Sequence, residues 1–215
     1  MKAKKRIIGI LLMVFGFISV LSAVGLNFYN MWEENQAGQV SAQTSEDLIT
    51  LINERRAENR ERPQHHVPLD LNGDSEIETE TLTINGAEYI GMLVIPYLDL
   101  VLPINSTWSY AKLRNTPCRY AGSIEDNTLV IAAHNYRTHF GNIASLRDGD
   151  EVIIIDVFGT EHNYSVVGII EVEPTDAHYV VGTEYDLTLF TCTYSGQARI
   201  VVKCMRTEPD EIASM

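Results

Sequence analysis

Cysteine is scarce, with three residues, at positions 118, 192 and 204, in a chain of 215. Three scattered thiols make neither a disulfide framework nor a four-thiolate zinc site, and an odd count leaves at least one thiol free. Basic residues are also few once the extreme N-terminus is passed. Four of the 16 (Lys2, Lys4, Lys5 and Arg6) precede the first apolar stretch, so the chain beyond residue 26 sets 12 bases against all 29 acids. A surface that acidic repels phosphate backbones, because nucleic-acid affinity depends on Lys and Arg displacing counterions; no nucleic-acid partner is expected. Repeats and low-complexity tracts are absent, and no second long apolar run follows the first. At 45% apolar and 21% charged residues, the balance is that of one medium globular domain with added segments. It excludes collagen-like, disordered and multi-span membrane classes.

What is present begins with KAKKR and then twenty uncharged residues, 7–26. In a helix rising about 1.5 Å per residue, such a run covers the roughly 30 Å hydrocarbon layer of a bilayer. A cleaved secretory signal has a shorter apolar region, of about 7 to 15 residues. Ser22 and Ala23 would suit its cleavage site, but the length favours an uncleaved transmembrane anchor. The basic cluster before the run and Glu33 and Glu34 after it put the N-terminus in the cytoplasm. The expected location is therefore the cell membrane, single-pass, with everything from Asn27 outside the cell.

Residues 27–80 read as an acidic stalk and linker. Thr44 and Asp47 form a capping pair before Leu48, Ile49, Leu51 and Ile52, which predicts a short amphipathic helix ahead of the charged stretch ERRAENRER. Residues 63–80, with prolines, Asn72, Gly73 and several acids, read as linker. From Thr81 the texture changes to short β-branched and aromatic runs divided by Gly, Pro, Asn and Asp: TLTI, YIGMLVIP, LVLPI, NTLVIAAH, EVIIIDVF, HNYSVVGIIEVE, LTLFTC and ARIVVKCM. These predict an all-β barrel or sandwich over residues 81–207, with short helices such as WSYAKLR at 108–114 and a polar tail at 208–215.

Three strand ends carry the chemistry. NTLVIAAH ends in His134, LTLFTC ends in Cys192, and Arg199 opens the next run beyond the turn YSGQ. Ser195 and Gly196 suit a tight reversal, so Cys192 and Arg199 are expected to face each other at a hairpin mouth. His134 joins them only if its strand lies alongside. A thiolate to attack a carbonyl, an imidazole to protonate the leaving amine and a guanidinium to steady the oxyanion make a nucleophilic site. A buried, inert cysteine is the competing reading of any strand cysteine.

TLFTC at 188–192 with the following Arg199 in RIVV resembles the Thr-Leu-x-Thr-Cys signature and downstream arginine of sortases, and NTLVIAAHN resembles their strand ending in a histidine. With the anchor and stalk, the resemblance covers nearly the whole chain. It implies an all-β, eight-stranded β-barrel with short helices, preceded by a transmembrane helix and stalk. It also implies Cys192 as nucleophile, His134 as general acid and base, Arg199 as oxyanion or substrate-orienting group and Thr191 as a substrate-binding residue. The implied reaction is transpeptidation. An LPxTG-like sorting signal on a surface protein is cut at its Thr–Gly bond, held as a thioacyl-enzyme on Cys192 and passed to an amine. The implied partners are surface proteins bearing such signals and either a peptidoglycan precursor or cross-bridge amine or a pilin lysine, in a Gram-positive envelope.

The remaining candidates read as structural. Cys118 lies in no motif, and Cys204, five residues from Arg199, falls on the opposite strand face with Ile200 and Val202. A disulfide between Cys118 and Cys204 stays open outside the cell. His139 lacks zinc-ligand spacing and reads as a loop histidine near the site; His65, His66, His162 and His178 read as isolated surface or loop residues. Glu171, Glu173 and Asp176 lie where some sortases bind calcium, but they match no specific site, so the expectation is no metal and no cofactor. Among sortases, the chain shows neither the lid motif nor the second span common in pilin-polymerising members. The 58 positions from His134 to Cys192 are filled by strand-like runs, with little room for a long helical insertion. A cell-wall anchoring enzyme is the leading expectation, a pilin polymeriser the alternative, and a membrane-tethered binding module without catalysis the second alternative. An L,D-transpeptidase lacks support because no Ser-His-Gly element is present, and a papain-like hydrolase because the histidine precedes the cysteine.

Overall fold

The computed structural model describes residues 2–61, 80–182, 184–193 and 195–207. It divides into two units, residues 1–36 and 37–215, and the expected linker at 63–80 and tail at 208–215 lie almost wholly outside the described residues. Helix α1, Lys2–Glu61, supplies the whole of the first unit's described structure and the opening of the second. The short helix predicted near residues 44–52 is thus one part of a much longer one. Within the first unit the apolar side chains have no interior: Ile10, Leu11, Phe15 and Leu21 are all more than half exposed. The segment is long and apolar enough to cross a membrane. Tyr29 and Trp32 follow it, also exposed, as the amphipathic aromatics that suit a headgroup layer.

In the second unit α1 presents one stripe, Ala37, Ser41, Thr44, Ser45, Leu48 and Ile52, all buried at helical spacing. Leu48 and Ile52 pack with Ile84, Tyr89 and Met92 in a cluster of their own. The smaller residues let the helix approach closely: a Cβ on Gly38 would lie 2.8 Å from Thr138 Cγ2, in the loop that follows His134. The part of the expected stalk at residues 37–52 is therefore packed on the β domain.

Among the described residues that domain holds nine strands: β1 Leu82–Ile84, β2 Ala87–Ile95, β3 Leu100–Asn105, β4 Cys118–Ala121, β5 Leu129–Ala132, β6 Glu151–Asp156, β7 Glu161–Val172, β8 Leu187–Cys192 and β9 Arg199–Arg206. Their order is β1-β2-β3-β4-β5-β8-β9-β7-β6, and β2 pairs again with β6, so β2 to β9 close an eight-stranded barrel with β1 appended outside. β3–β4 and β5–β8 are parallel; every other pair is antiparallel. The barrel count is as expected, but its membership differs. TLTI forms the appended β1, while β4 takes a barrel position from CRYA, four residues between Pro117 and Gly122 that carry no run of apolar residues.

Closure depends on Gly91. At φ +148° it occupies backbone space other residues avoid, and a Cβ there would meet Ile155 O at 2.1 Å. The register of β2 against β3 slips between Tyr89 and Gly91. This bulge resets the alternation, so Ile90 and Leu93, three apart, both enter the barrel core while Tyr89 and Met92 both face the α1 cluster. The barrel interior is filled by Ile, Leu and Val with Phe140 and Tyr164.

Candidate active site

β8 and β9 are joined by a turn at the end of the hairpin, and Cys192 is the direct cross-strand partner of Arg199. The mouth is held by Thr193 N–H donating to Ala198 O at 2.9 Å and Ala198 N–H donating to Thr193 Oγ1 at 3.2 Å. β5 runs parallel to β8 with Ala132 opposite Phe190, so His134, two residues on, is level with Cys192. Ala133 N–H donates to Phe190 O at 3.2 Å and continues the ladder to this point. The three expected site residues therefore sit on three neighbouring strand ends, β5, β8 and β9.

Thr191 is buried, and its hydroxyl donates to Ala133 O at 2.9 Å, tying β8 to the backbone beside His134. Thr191 also lines a groove that leads to Cys192 and Arg199. The His134 ring stacks on Tyr136, centroids 4.0 Å apart and planes within 9°. Its Nδ1 lies 2.9 Å from Asn135 Oδ1, and Asn135 Nδ2 donates to Thr193 O at 3.3 Å. Asn135 went unremarked in the sequence; its position next to His134 was the signal available.

Of the three cysteines, all free, only Cys192 is exposed. The Cys118–Cys204 disulfide left open by the sequence is not formed. Burial pushes the Cys118 thiol up to about 11 and Cys204 to about 12, so neither supplies thiolate at neutral pH. Cys204 lies in the barrel core with Val202, the face that strand alternation predicted.

A groove of about 200 Å³ leads to Cys192 and Arg199. One wall is aromatic: Trp108 contacts Tyr110 and Tyr120 edge-on, at 4.9 and 5.8 Å, and Tyr120 meets Phe190 at 5.1 Å. Trp108 and Tyr110 flank Ser109, whose hydroxyl caps the short helix α2, Tyr110–Leu113, by accepting from Lys112 N–H at 3.2 Å. Val180, Val181, Glu173 and Asp176 also line the groove. Among the described residues no three His, Cys, Asp or Glu gather as a metal-ligand set.

The other histidines differ from expectation in two places. His139 is on the loop after β5 as expected, but it is fully buried, and neither ring nitrogen has a hydrogen bond. Burial, helped by His134 and only partly opposed by the Asn115 backbone, holds it down at about 4. His162 is not isolated: it lies on β7 with Nε2 3.0 Å from Asp156 Oδ2. His178 is exposed in a short turn, and His65 and His66 lie outside the described residues.

Residues 93–207, more than half the chain, match the family model of the Sortase domain. The fold is similar to that of the Clostridium perfringens sortase D5 transpeptidase, with TM-score 0.58 and 20% identity over 79% of this chain and 99% of that one. It is also similar to Streptococcus pneumoniae sortase C, with TM-score 0.51 and 25% identity over 60% of this chain and 72% of that one. A lid mutant of Corynebacterium diphtheriae sortase A gives TM-score 0.51 and 20% identity over 80% and 97%. A search of curated protein sequences found no match.

Proposed function

The chain belongs to the sortase family, and we propose that it cleaves an LPxTG-like sorting signal and transfers the surface protein to a cell-wall amine through a thioacyl-enzyme on Cys192. The observation that carries this reading is the register that sets Cys192 against Arg199, both lining a groove with an aromatic wall, and brings His134 level with Cys192. In the first step the Cys192 thiolate attacks the threonine carbonyl carbon; a C–S bond forms and the C–N bond to glycine breaks. His134, protonated, gives its proton to the departing amine. Arg199 donates to the oxygen that carries the developing negative charge. In the second step an acceptor amine attacks the thioester, His134 takes its proton, and Cys192 leaves as thiolate. Exposure of Cys192 at the groove gives both amines access.

The acceptor separates two readings. A peptidoglycan precursor or cross-bridge amine is the leading one. Residues 27–80, ahead of the barrel, carry no Asp-Pro-aromatic lid motif of the kind common in pilin-polymerising members, in keeping with an anchoring enzyme. Likeness to Streptococcus pneumoniae sortase C, a structure described in terms of pilin substrate specificity, favours the second, a lysine amine of a pilin subunit. The apolar helix and the basic residues that precede it support a single-pass anchor with the barrel outside the cell. The test is discharge of a preformed Cys192 adduct. Release by cross-bridge peptides and not by pilin lysine peptides supports anchoring; the reverse result replaces it with polymerisation.

A further inference from the structure

We propose that Asn135 is the positioning residue for His134, fixing which of its ring nitrogens exchanges protons in the reaction. The inference rests on the reading of His134 as the general acid and base. The Asn135 carboxamide has two neighbours, Thr193 O at 3.3 Å and His134 Nδ1 at 2.9 Å. A backbone carbonyl only accepts, so the NH2 end faces Thr193 and the oxygen end faces His134. That oxygen also only accepts, so Nδ1 carries the proton and, in the neutral ring, Nε2 holds the lone pair. The Asn135 backbone N–H also approaches Nδ1, at 3.1 Å, and would favour the opposite tautomer. In that tautomer, however, an amide oxygen and a bare ring nitrogen would face each other at 2.9 Å, so the side chain decides.

The same carboxamide crosses the site. It joins the segment after β5 to Thr193, the residue after Cys192, whose own backbone is held by Ala198 at the hairpin mouth. Tyr136 covers one face of the imidazole while Asn135 holds its edge. When the ring is protonated, the Nδ1–H bond to Oδ1 becomes charge-assisted. Removing the carboxamide takes that bond away and frees the ring to turn.

The test uses the full chain in detergent micelles, with 15N-labelled histidine and a sorting-signal peptide cleavage assay. In the wild type, neutral His134 shows the Nδ1–H tautomer in its ring 15N shifts. Asn135→Ala shifts this population toward Nε2–H, lowers the apparent histidine pKa in the kcat/KM profile and cuts kcat by at least about tenfold with little change in KM. Asn135→Asp, which places a carboxylate at the same edge, raises that pKa. An Nε2–H tautomer in the wild type overturns the inference whether or not any variant folds. So does an Asn135→Ala enzyme with unchanged tautomer and pH profile, since lost packing alone would lower activity without moving either. His134→Ala keeps the two readings apart. Retained turnover there removes the general-acid role itself, whereas lost turnover with an unmoved Asn135→Ala profile removes only the positioning role.

Discussion

Replacing the buried His139 with Phe is predicted to make the β domain less sensitive to acid. The side chain is fully buried without a ring hydrogen bond, and its pKa is held at about 4 against an ordinary value of 6.5. The sign follows from linkage. The unfolded chain binds a proton here as pH falls through 6.5, the folded chain only near 4, so stability present above 6.5 is lost progressively on the way down. Between pH 7.5 and 4.5 this single group removes about 2 to 3 kcal/mol, at ~1.36 kcal/mol per pH unit over the window where only the unfolded state is protonated. Phe fills much of the same volume and does not titrate. Urea unfolding at the two pH values, followed by tryptophan emission, measures the effect. The stability difference between pH 7.5 and 4.5 is expected to be about 2 to 3 kcal/mol smaller in His139→Phe than in the wild type. Parallel losses in the two proteins would refute the buried, unprotonated histidine.

Three further predictions probe the packing and the site. Leu48→Ala, at a fully buried position between α1 and β2, is expected to cost about 2 to 5 kcal/mol in the same unfolding assay; an unchanged midpoint would mean that α1 is not docked there. A methanethiosulfonate reagent is expected to label Cys192 well before Cys118 or Cys204 in the native protein, as followed by mass spectrometry. Arg199→Lys is expected to lower kcat/KM by about 10²- to 10³-fold in a peptide cleavage assay, because a point-charge ammonium does not reproduce the guanidinium fork. Near-normal turnover would show that charge alone serves at that position.

The pairing of Cys192 with Arg199 is legible in the sequence, while two parts of the architecture around it are not. LTLFTC and ARIVVKCM are β-branched runs divided by a turn, so a local rule pairs them and sets Cys192 opposite Arg199. The adjacency of His134 depends on parallel pairing of β5 with β8, a contact between segments 58 residues apart that no local pattern encodes. β4 escaped notice because CRYA is short and lacks alternation. The length of α1 escaped for a different reason: its buried stripe at residues 41–45 is made of Ser and Thr, which read as solvent-facing. Two of them satisfy their hydroxyls on backbone, Thr44 donating to Val40 O at 2.8 Å and Ser45 lying 2.9 Å from Ser41 O and 3.3 Å from Val101 O. The burial of His139 likewise reflects how the loop after β5 folds inward, with Phe140 N–H donating to His134 O at 3.1 Å, and is invisible in residue types alone.

The central claim is that Cys192 carries the acyl group, and intact-mass measurement of the protein incubated with LPxTG-like peptides in the absence of any acceptor amine tests it most directly. A thioacyl adduct that maps to Cys192, that hydroxylamine releases, and that persists in Cys118→Ala and Cys204→Ala but vanishes in Cys192→Ala is the predicted result. Peptide cleavage that survives in Cys192→Ala, or an adduct that maps to another residue, would contradict it.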